Sequence, residues 1–292
     1  MKKFVAVGNV AIDKNLRDFP VCGGSVLYSA LLASKLGWKT TAVTSFGKDF
    51  SALKFDWHDI RLCTQEKPYT TTFSIAYDEK ENRKLVLEKE GGIISADKLS
   101  DEIRDADIIF LCPIAHEISP EFVSFIAKEN RGGTIITTPQ GWLRGWKKEG
   151  DQIFQKPWDT AKEILSHTDI LVISEEDIKN DNSLLENYRT LIKKGELVIL
   201  TRGSKGATGY RENKIVAQKA YPAKVIDPTG AGDIFAASFG IAWKETSSME
   251  QSLIFANIAA SFVIEGVGTS NIPTRNQIQS RIRGLDIFLR TR

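Results

Sequence analysis

Asp227-Pro228-Thr229-Gly230-Ala231-Gly232-Asp233 is the stretch on which the reading of the fold turns. A strand-like run, Ala223–Ile226, leads into it, and a helix-like run, Ile234–Trp243, follows. The glycines are therefore expected at a strand-to-helix turn. There, unpaired N–H groups and the positive end of the helix dipole favour an anion. Gly230 and Gly232 lack Cβ, so an anionic group can come close to the main chain. Asp233 falls in the first helical turn, beside that anion. A carboxylate so placed repels a phosphate unless it has chemistry to perform. The expected task is to take a proton from a hydroxyl that attacks phosphorus. By itself, G-x-G-D more often means a tight turn followed by an acid that the helix dipole stabilises.

Outward from this stretch, the chain of 292 residues is 42% apolar and 26% charged, ordinary for a globular protein. Its 39 basic and 37 acidic residues leave a formal charge of +2, with no long block of one sign. Neither a nucleic-acid surface nor a membrane surface is indicated. The odd, widely spaced Cys22, Cys63 and Cys112 fit reduced thiols in a cytoplasmic protein. His58, His116 and His167 do not cluster at metal-ligand spacing, so a structural zinc site is not expected. The apolar run after Met1-Lys2-Lys3 ends at Asn9, too short for a signal-peptide core, and no apolar stretch reaches 18 residues.

Short β-branched runs alternate with amphipathic stretches. Strands are expected at Lys3–Gly8, Thr40–Thr44, Asp107–Leu111, Thr134–Thr137, Ile170–Ile173 and Leu197–Thr201. Helices are expected at Ser25–Leu36, Pro120–Glu129, Asp159–Leu165, Ser183–Lys194, Ile234–Trp243 and Met249–Ile264. The alternation predicts βα units around a mostly parallel sheet, and the lack of period-2 patterning predicts strands buried on both faces. Thr70–Tyr77 and Arg83–Glu88, joined by the polar turn Asp78–Asn82, read as a hairpin inserted into that rhythm. Neither G-x-x-x-x-G-K-[ST] nor G-x-G-x-x-G after the first strand occurs, which disfavours P-loop and dinucleotide-binding folds.

The seven-residue stretch resembles the C-terminal signature of the ribokinase (PfkB) family of carbohydrate kinases, a pattern close to D-T/P-x-G-A-G-D before a small apolar helix. Other segments resemble the family's motifs in the expected order. Gly8–Asp13 with Gly23-Gly24 looks like its N-terminal sugar signature, with Ser25 standing where Asn or Lys is usual. Ser174–Asp177 looks like N-x-x-E, with Ser for Asn and Asp for Glu. Thr201–Gly206 looks like the T-x-G-x-x-G nucleotide loop, and Ala256–Ala260 like the A-N-A-x-A segment beside adenine.

This resemblance implies an α/β, ribokinase-like fold: one domain over 1–292, with a small β lid from about 11–22 and 66–90. The implied activity is ATP-dependent transfer of the γ-phosphate to a hydroxyl of a sugar or polyol. A nucleoside kinase, with Phe73, Tyr77 and Tyr28 as aromatic walls, and a catalytically silent nucleotide-binding relative are the alternatives. The implied roles are Asp233 as base, with Gly230, Ala231 and Gly232 as the anion hole. Asp13, Gly23, Gly24, Ser25, Gln140 and Arg144 would face the acceptor. Ser174, Thr201, Gly203, Ser204, Gly206 and Asn257 would face the nucleotide. Asp177 would help place Mg2+, and Asp227 could organise a monovalent cation such as K+. Exposed lid strands could pair two copies into a homodimer.

Overall fold

The computed structural model describes residues 1–14, 20–77, 83–95, 99–192 and 196–290, with side chains left aside at 75–77, 83, 100 and 285–290. In chain order the elements are β1 (Lys3–Val7), β2 (Ala11–Lys14), β3 (Val21–Gly23), α1 (Ser25–Lys35), β4 (Lys39–Phe46), α2 (Lys48–Ser51), β5 (Arg61–Glu66), β6 (Thr71–Tyr77), β7 (Arg83–Lys89), α3 (Ser100–Arg104) and β8 (Ile108–Leu111). They continue with α4 (Pro120–Glu129), β9 (Thr134–Thr137), α5 (Gln140–Leu143), β10 (Arg144–Gly145), β11 (Phe154–Gln155), α6 (Ala161–Leu165), β12 (Ile170–Ser174), α7 (Asn182–Leu191) and β13 (Leu197–Thr201). The last are β14 (Ala207–Arg211), β15 (Lys214–Gln218), α8 (Ala231–Thr246), α9 (Met249–Val263) and α10 (Arg275–Arg290).

The large sheet has the order β15-β14-β13-β12-β9-β8-β1-β4-β5. The seven strands from β13 to β5 pair in parallel, and β14 and β15 extend the sheet antiparallel. Its central strands feed two cores. Phe4, Ala6, Ile108 and Phe110 pack with α1, α8 and α9 on one face, while Val5, Val7, Ile109 and Leu111 pack with α4, α6 and α7 on the other. Burial of each such side chain is worth about 1.5–3 kcal/mol, so a strand with both faces covered has no need of alternating polarity. β1 lies between β8 and β4, so the chain departs to opposite sides of it. In open α/β sheets the ligand crevice forms at the carboxyl ends of strands flanking such a switch point.

A second sheet has the order β3-β2-β6-β7 and stands on that carboxyl end. It contains the expected hairpin, now β6 and β7; the turn Asp78–Asn82 and the side chain of Tyr77 lie outside the described residues. The outer edge of β7 is occupied. Leu87 N–H donates to Asp151 O at 3.2 Å, Gly150 N–H to Leu87 O at 2.7 Å, and Ile153 N–H to Leu85 O at 2.8 Å. Glu149 ties the same strap down by accepting from Glu90 N–H at 3.0 Å and pairing with Lys89 at 3.3 Å.

Two expectations fail locally. Ala223–Ile226 is not a strand: Ile226 N–H and Asp227 N–H both donate to Ile264 O at the end of α9, and Pro222 brings no N–H to start a ladder. Val225 and Ile226 are left exposed. The helix expected to reach Lys194 ends at Leu191, with 193–195 outside the described residues. Among the described residues no helix is long and apolar enough to cross a membrane.

Candidate active site

The turn that opens α8 is built as its composition requires. Gly230 caps the helix at φ +81°, a conformation that costs a residue with Cβ about 1 kcal/mol or more. A Cβ there would also strike the ring of Tyr28. Around Gly232 a Cβ would meet nothing, so that side opens onto free space. The Ala231 N–H donates to Pro228 O at 3.3 Å and the Ile234 N–H to Gly230 O at 2.9 Å. Among the described residues the N–H groups of Gly230, Gly232 and Asp233 find no acceptor in the protein. The unspent donors are thus Gly230, Gly232 and Asp233, whereas the sequence reading gave that role to Ala231 in place of Asp233.

Asp233 is half-buried in the first turn of α8. Desolvation lifts its carboxyl to about 6; a hydrogen bond from the Ser25 side chain and the nearby Arg144 charge pull it back. Asp13, on β2, lies close enough that a Cβ on Gly23 would collide with its Oδ2. Gly24, at φ +98°, could carry no Cβ without striking Asn9 O and Ala11 N. Tyr28 is 2% exposed. Burial first, then the charges of Asp13, Asp233 and Asp227, push its phenol far up, so it stays a neutral donor. Sequence reasoning had given Tyr28 only a wall's part. Its place under Gly230 could not be read from spacing, because it lies on a different helix.

Arg144 enters from the segment after β9. Its guanidinium donates to Ile114 O at 2.9 Å and stacks on the Phe73 ring of β6, 5.1 Å from the centroid. Burial tends to lower its pKa, and Asp233, Glu117, Asp177 and Asp13 oppose that. One cation thus lies within electrostatic reach of four carboxylates. Its support was not foreseen. Glu117, fully buried, accepts from Asn9 N–H at 2.8 Å, from Ile114 N–H at 2.9 Å and from Ala115 N–H at 2.7 Å. Burial pushes the Glu117 carboxyl up; these donors hold it back. Asn9 then joins the root of the small sheet to β4, accepting from Ser45 Oγ at 2.7 Å and donating to Gly92 O at 3.0 Å. Gln140 is exposed at the start of α5, and no hydrogen bond is seen for its side chain among the described residues.

At the carboxyl end of β12, Ser174 and Asp177 bind one another. Asp177 Oδ2 accepts from Ser174 N–H at 2.9 Å and from its hydroxyl at 2.8 Å. Burial nevertheless raises the Asp177 carboxyl. Thr201 ends β13 and donates to Ile173 O at 3.4 Å. Gly203 and Ser204 are exposed at the turn into β14. Gly206 is buried at φ +96°, where a Cβ would collide with Gln218 O. Asn257 is 8% exposed and spends its amide on Leu253 O at 2.9 Å, a helix back-bond. Asp227 accepts from Thr229 N–H at 3.0 Å and from Gly268 N–H at 3.4 Å. No three His, Cys, Asp or Glu side chains gather into a metal cage among the described residues.

Comparison with known proteins bears on the family and the fold. Residues 147–275 match the model of the pfkB family carbohydrate kinase. A nucleoside kinase of Methanocaldococcus jannaschii is 24% identical over 97% of this chain and 97% of its own length. The structure superposes with a TM-score of 0.79 on a pyrophosphate-dependent kinase in the ribokinase family, complexed with a pyrophosphate analog and myo-inositol, at 18% identity over 95% of this chain and 99% of that one. It superposes with a TM-score of 0.74 on a ribokinase from Thermotoga maritima, at 21% identity over 97% of this chain and all of that one (100%).

Proposed function

We propose that this chain, which belongs to the ribokinase (PfkB) family of carbohydrate kinases and is thus a phosphotransferase acting on a hydroxyl, moves the γ-phosphate of ATP onto a sugar or polyol with Asp233 as base. The observation that carries the reading is the pairing of a carboxyl near 6 with unspent main-chain donors in the same helical turn. Near pH 7 a base of that strength is largely ionised yet strong enough to draw the proton from an attacking hydroxyl. The N–H groups of Gly230, Gly232 and Asp233 then meet the charge that develops on the transferring group. Arg144 supplies a positive charge on the acceptor side. Asp13 accepts from acceptor hydroxyls, with Gly23 and Gly24 letting the ligand approach the backbone. Ser174, Thr201, Gly203, Ser204 and Gly206 line the donor side, and the exposed Val225 and Ile226 offer apolar surface to a base.

Asp177 suits a magnesium ion that keeps most of its ligands from water and donor phosphates, since a single half-buried carboxylate is what such an ion asks of the protein. When bound, magnesium would neutralise charge shared by the β- and γ-phosphates. Asp227 already holds the 227–229 turn to Gly268, a loop with carbonyls that could serve a monovalent cation. The small sheet acts as a lid that excludes water during transfer. Pairing of two copies through it would use the β3 edge, because the strap covers β7.

Likeness to an archaeal nucleoside kinase over nearly the whole chain keeps a nucleoside as the second acceptor reading. Both readings are tested by ATP consumption across sugars, polyols and nucleosides, with the phosphate ester identified by mass. Phosphorylation of one of them is expected. Failure with every member of a broad panel, for enzyme that binds ATP, would contradict both.

A further inference from the structure

We infer that the β10–β11 hairpin couples the small sheet to the proposed donor side, with Gln155 as the positioning residue that joins it to the Ser174–Asp177 turn. The inference rests on two readings given above, the small sheet as lid and Asp177 as the magnesium carboxylate, and adds the link between them.

The hairpin is held at both ends. At its root Arg144 pairs with Gln155 and Gly145 with Phe154, and the Lys156 N–H donates to Leu143 O at 2.8 Å. The two strands lie so close that a Cβ on Gly145 would strike the Phe154 ring. His116 braces the root: its Nε2 lies 2.5 Å from Arg144 O, and its ring stacks on Trp146 at 4.3 Å. At the tip, 149–153 forms the strap that bonds Leu85 and Leu87 of β7, and Gln152 bridges to Val86. Trp146 and Ile153 pack in one apolar cluster with Phe73 and Leu87. Hairpin and small sheet are therefore joined by backbone bonds and by a shared core.

The rung Arg144–Gln155 reaches both ways. Arg144 lies on the Phe73 ring of the small sheet. Gln155, its partner on the other strand, sends its amide to the turn after β12, where Nε2–H donates to Asp177 O, with Glu176 O at 3.4 Å. Among the described residues no backbone N–H reaches Asp177 O, so Gln155 supplies the hydrogen bond that this carbonyl needs. Asp177 is thus clamped twice, through its carboxylate by Ser174 and through its main chain by Gln155. A bound cation that stiffens the carboxylate also stiffens the acceptor of Gln155. The added order passes along the hairpin to β7.

The test is hydrogen exchange of the full chain, free and saturated with magnesium and a non-hydrolysable ATP analogue, in the parent, Gln155→Met and Gln155→Lys. No acceptor is added. In the parent the analogue should slow exchange by about threefold to tenfold at Leu87, Gly150 and Ile153, whose amides close the strap onto β7. Gln155→Met keeps the length and loses the donor. It should lose that slowing at saturating analogue, and by calorimetry should bind the magnesium analogue about threefold to tenfold more weakly. Gln155→Lys, which keeps an N–H donor long enough for the turn, should retain the slowing. A role in folding alone would change exchange of the free chain but not the part added by the analogue. Full slowing in Gln155→Met, or none in a parent that binds the analogue, overturns the coupling and leaves the reading of the site standing. A parent that does not bind the magnesium analogue removes the donor-side reading, and the coupling with it.

Discussion

The two sides of the crevice are assembled on opposite plans. The proposed donor side is made of short contiguous pieces, Ser174–Asp177, Thr201–Gly206 and Asp227–Asp233, each lying where a strand ends or a helix begins. The proposed acceptor side is gathered from distant places: Asp13 on β2, Gly23 on β3, Ser25 and Tyr28 on α1, Phe73 on β6, Arg144 from β10, and Glu117 beneath them. The difference teaches where stability is at stake. The donor side depends on backbone conformation, which glycine sets locally. The acceptor side depends on buried charge, which only tertiary partners can satisfy.

The largest effect expected is from Asp233→Asn, about 10²-fold or more in turnover with ATP affinity kept, read by steady-state kinetics and nucleotide titration. The same variant should be no less stable at pH 7. With its folded pKa raised from 3.8 to about 6, the native state holds the proton more tightly than the unfolded chain. Stability therefore falls as pH rises through that window, and the amide escapes the loss. Its melting temperature at pH 7 should match or exceed the parent's; a clear drop would mean that the carboxylate is structural.

Next comes Arg144→Met, expected to cost about 10²-fold in kcat/KM, as removal of one charge-stabilising donor does. A loss confined to the KM for ATP would move Arg144 to the donor side and blur the comparison. Glu117→Ala should destabilise the fold by about 3 kcal/mol or more in denaturant titration, since the Asn9, Ile114 and Ala115 N–H groups lose their acceptor. The smallest effect is set for Asn257→Ala: a KM for ATP raised about twofold to fivefold, because the amide already serves Leu253 O and can give the nucleotide only what is left.

The same division explains what could be read in advance. Pro120–Glu129 was legible to the residue because Ser119 caps it, accepting from Phe122 N–H, and Pro120 suits a first helical position. Thr134–Thr137 and Leu197–Thr201 stood out as short β-branched runs with polar ends. β5 was missed because its exposed edge position mixes Arg, Gln and Glu into the run. α10 was missed because few apolar residues face the core, Ile278 among them. In the site, Gly230 and Asp233 announced themselves through one local pattern. The strap over β7, the carboxylate cradle of Glu117 and the packing of Tyr28 against Gly230 each join segments far apart in sequence. Spacing carries no trace of such contacts. Ser25 was expected to touch the sugar, and it opens α1 with only 4% of its surface exposed.

The pH dependence of kcat/KM for the unaltered enzyme with its preferred acceptor asks most directly whether the residue-233 carboxyl works in its ionised form. A plateau above pH 7 that falls about tenfold per unit once the medium is more acidic than about pH 6 is the outcome predicted. A rate that stays level down to pH 4.5 would contradict the account.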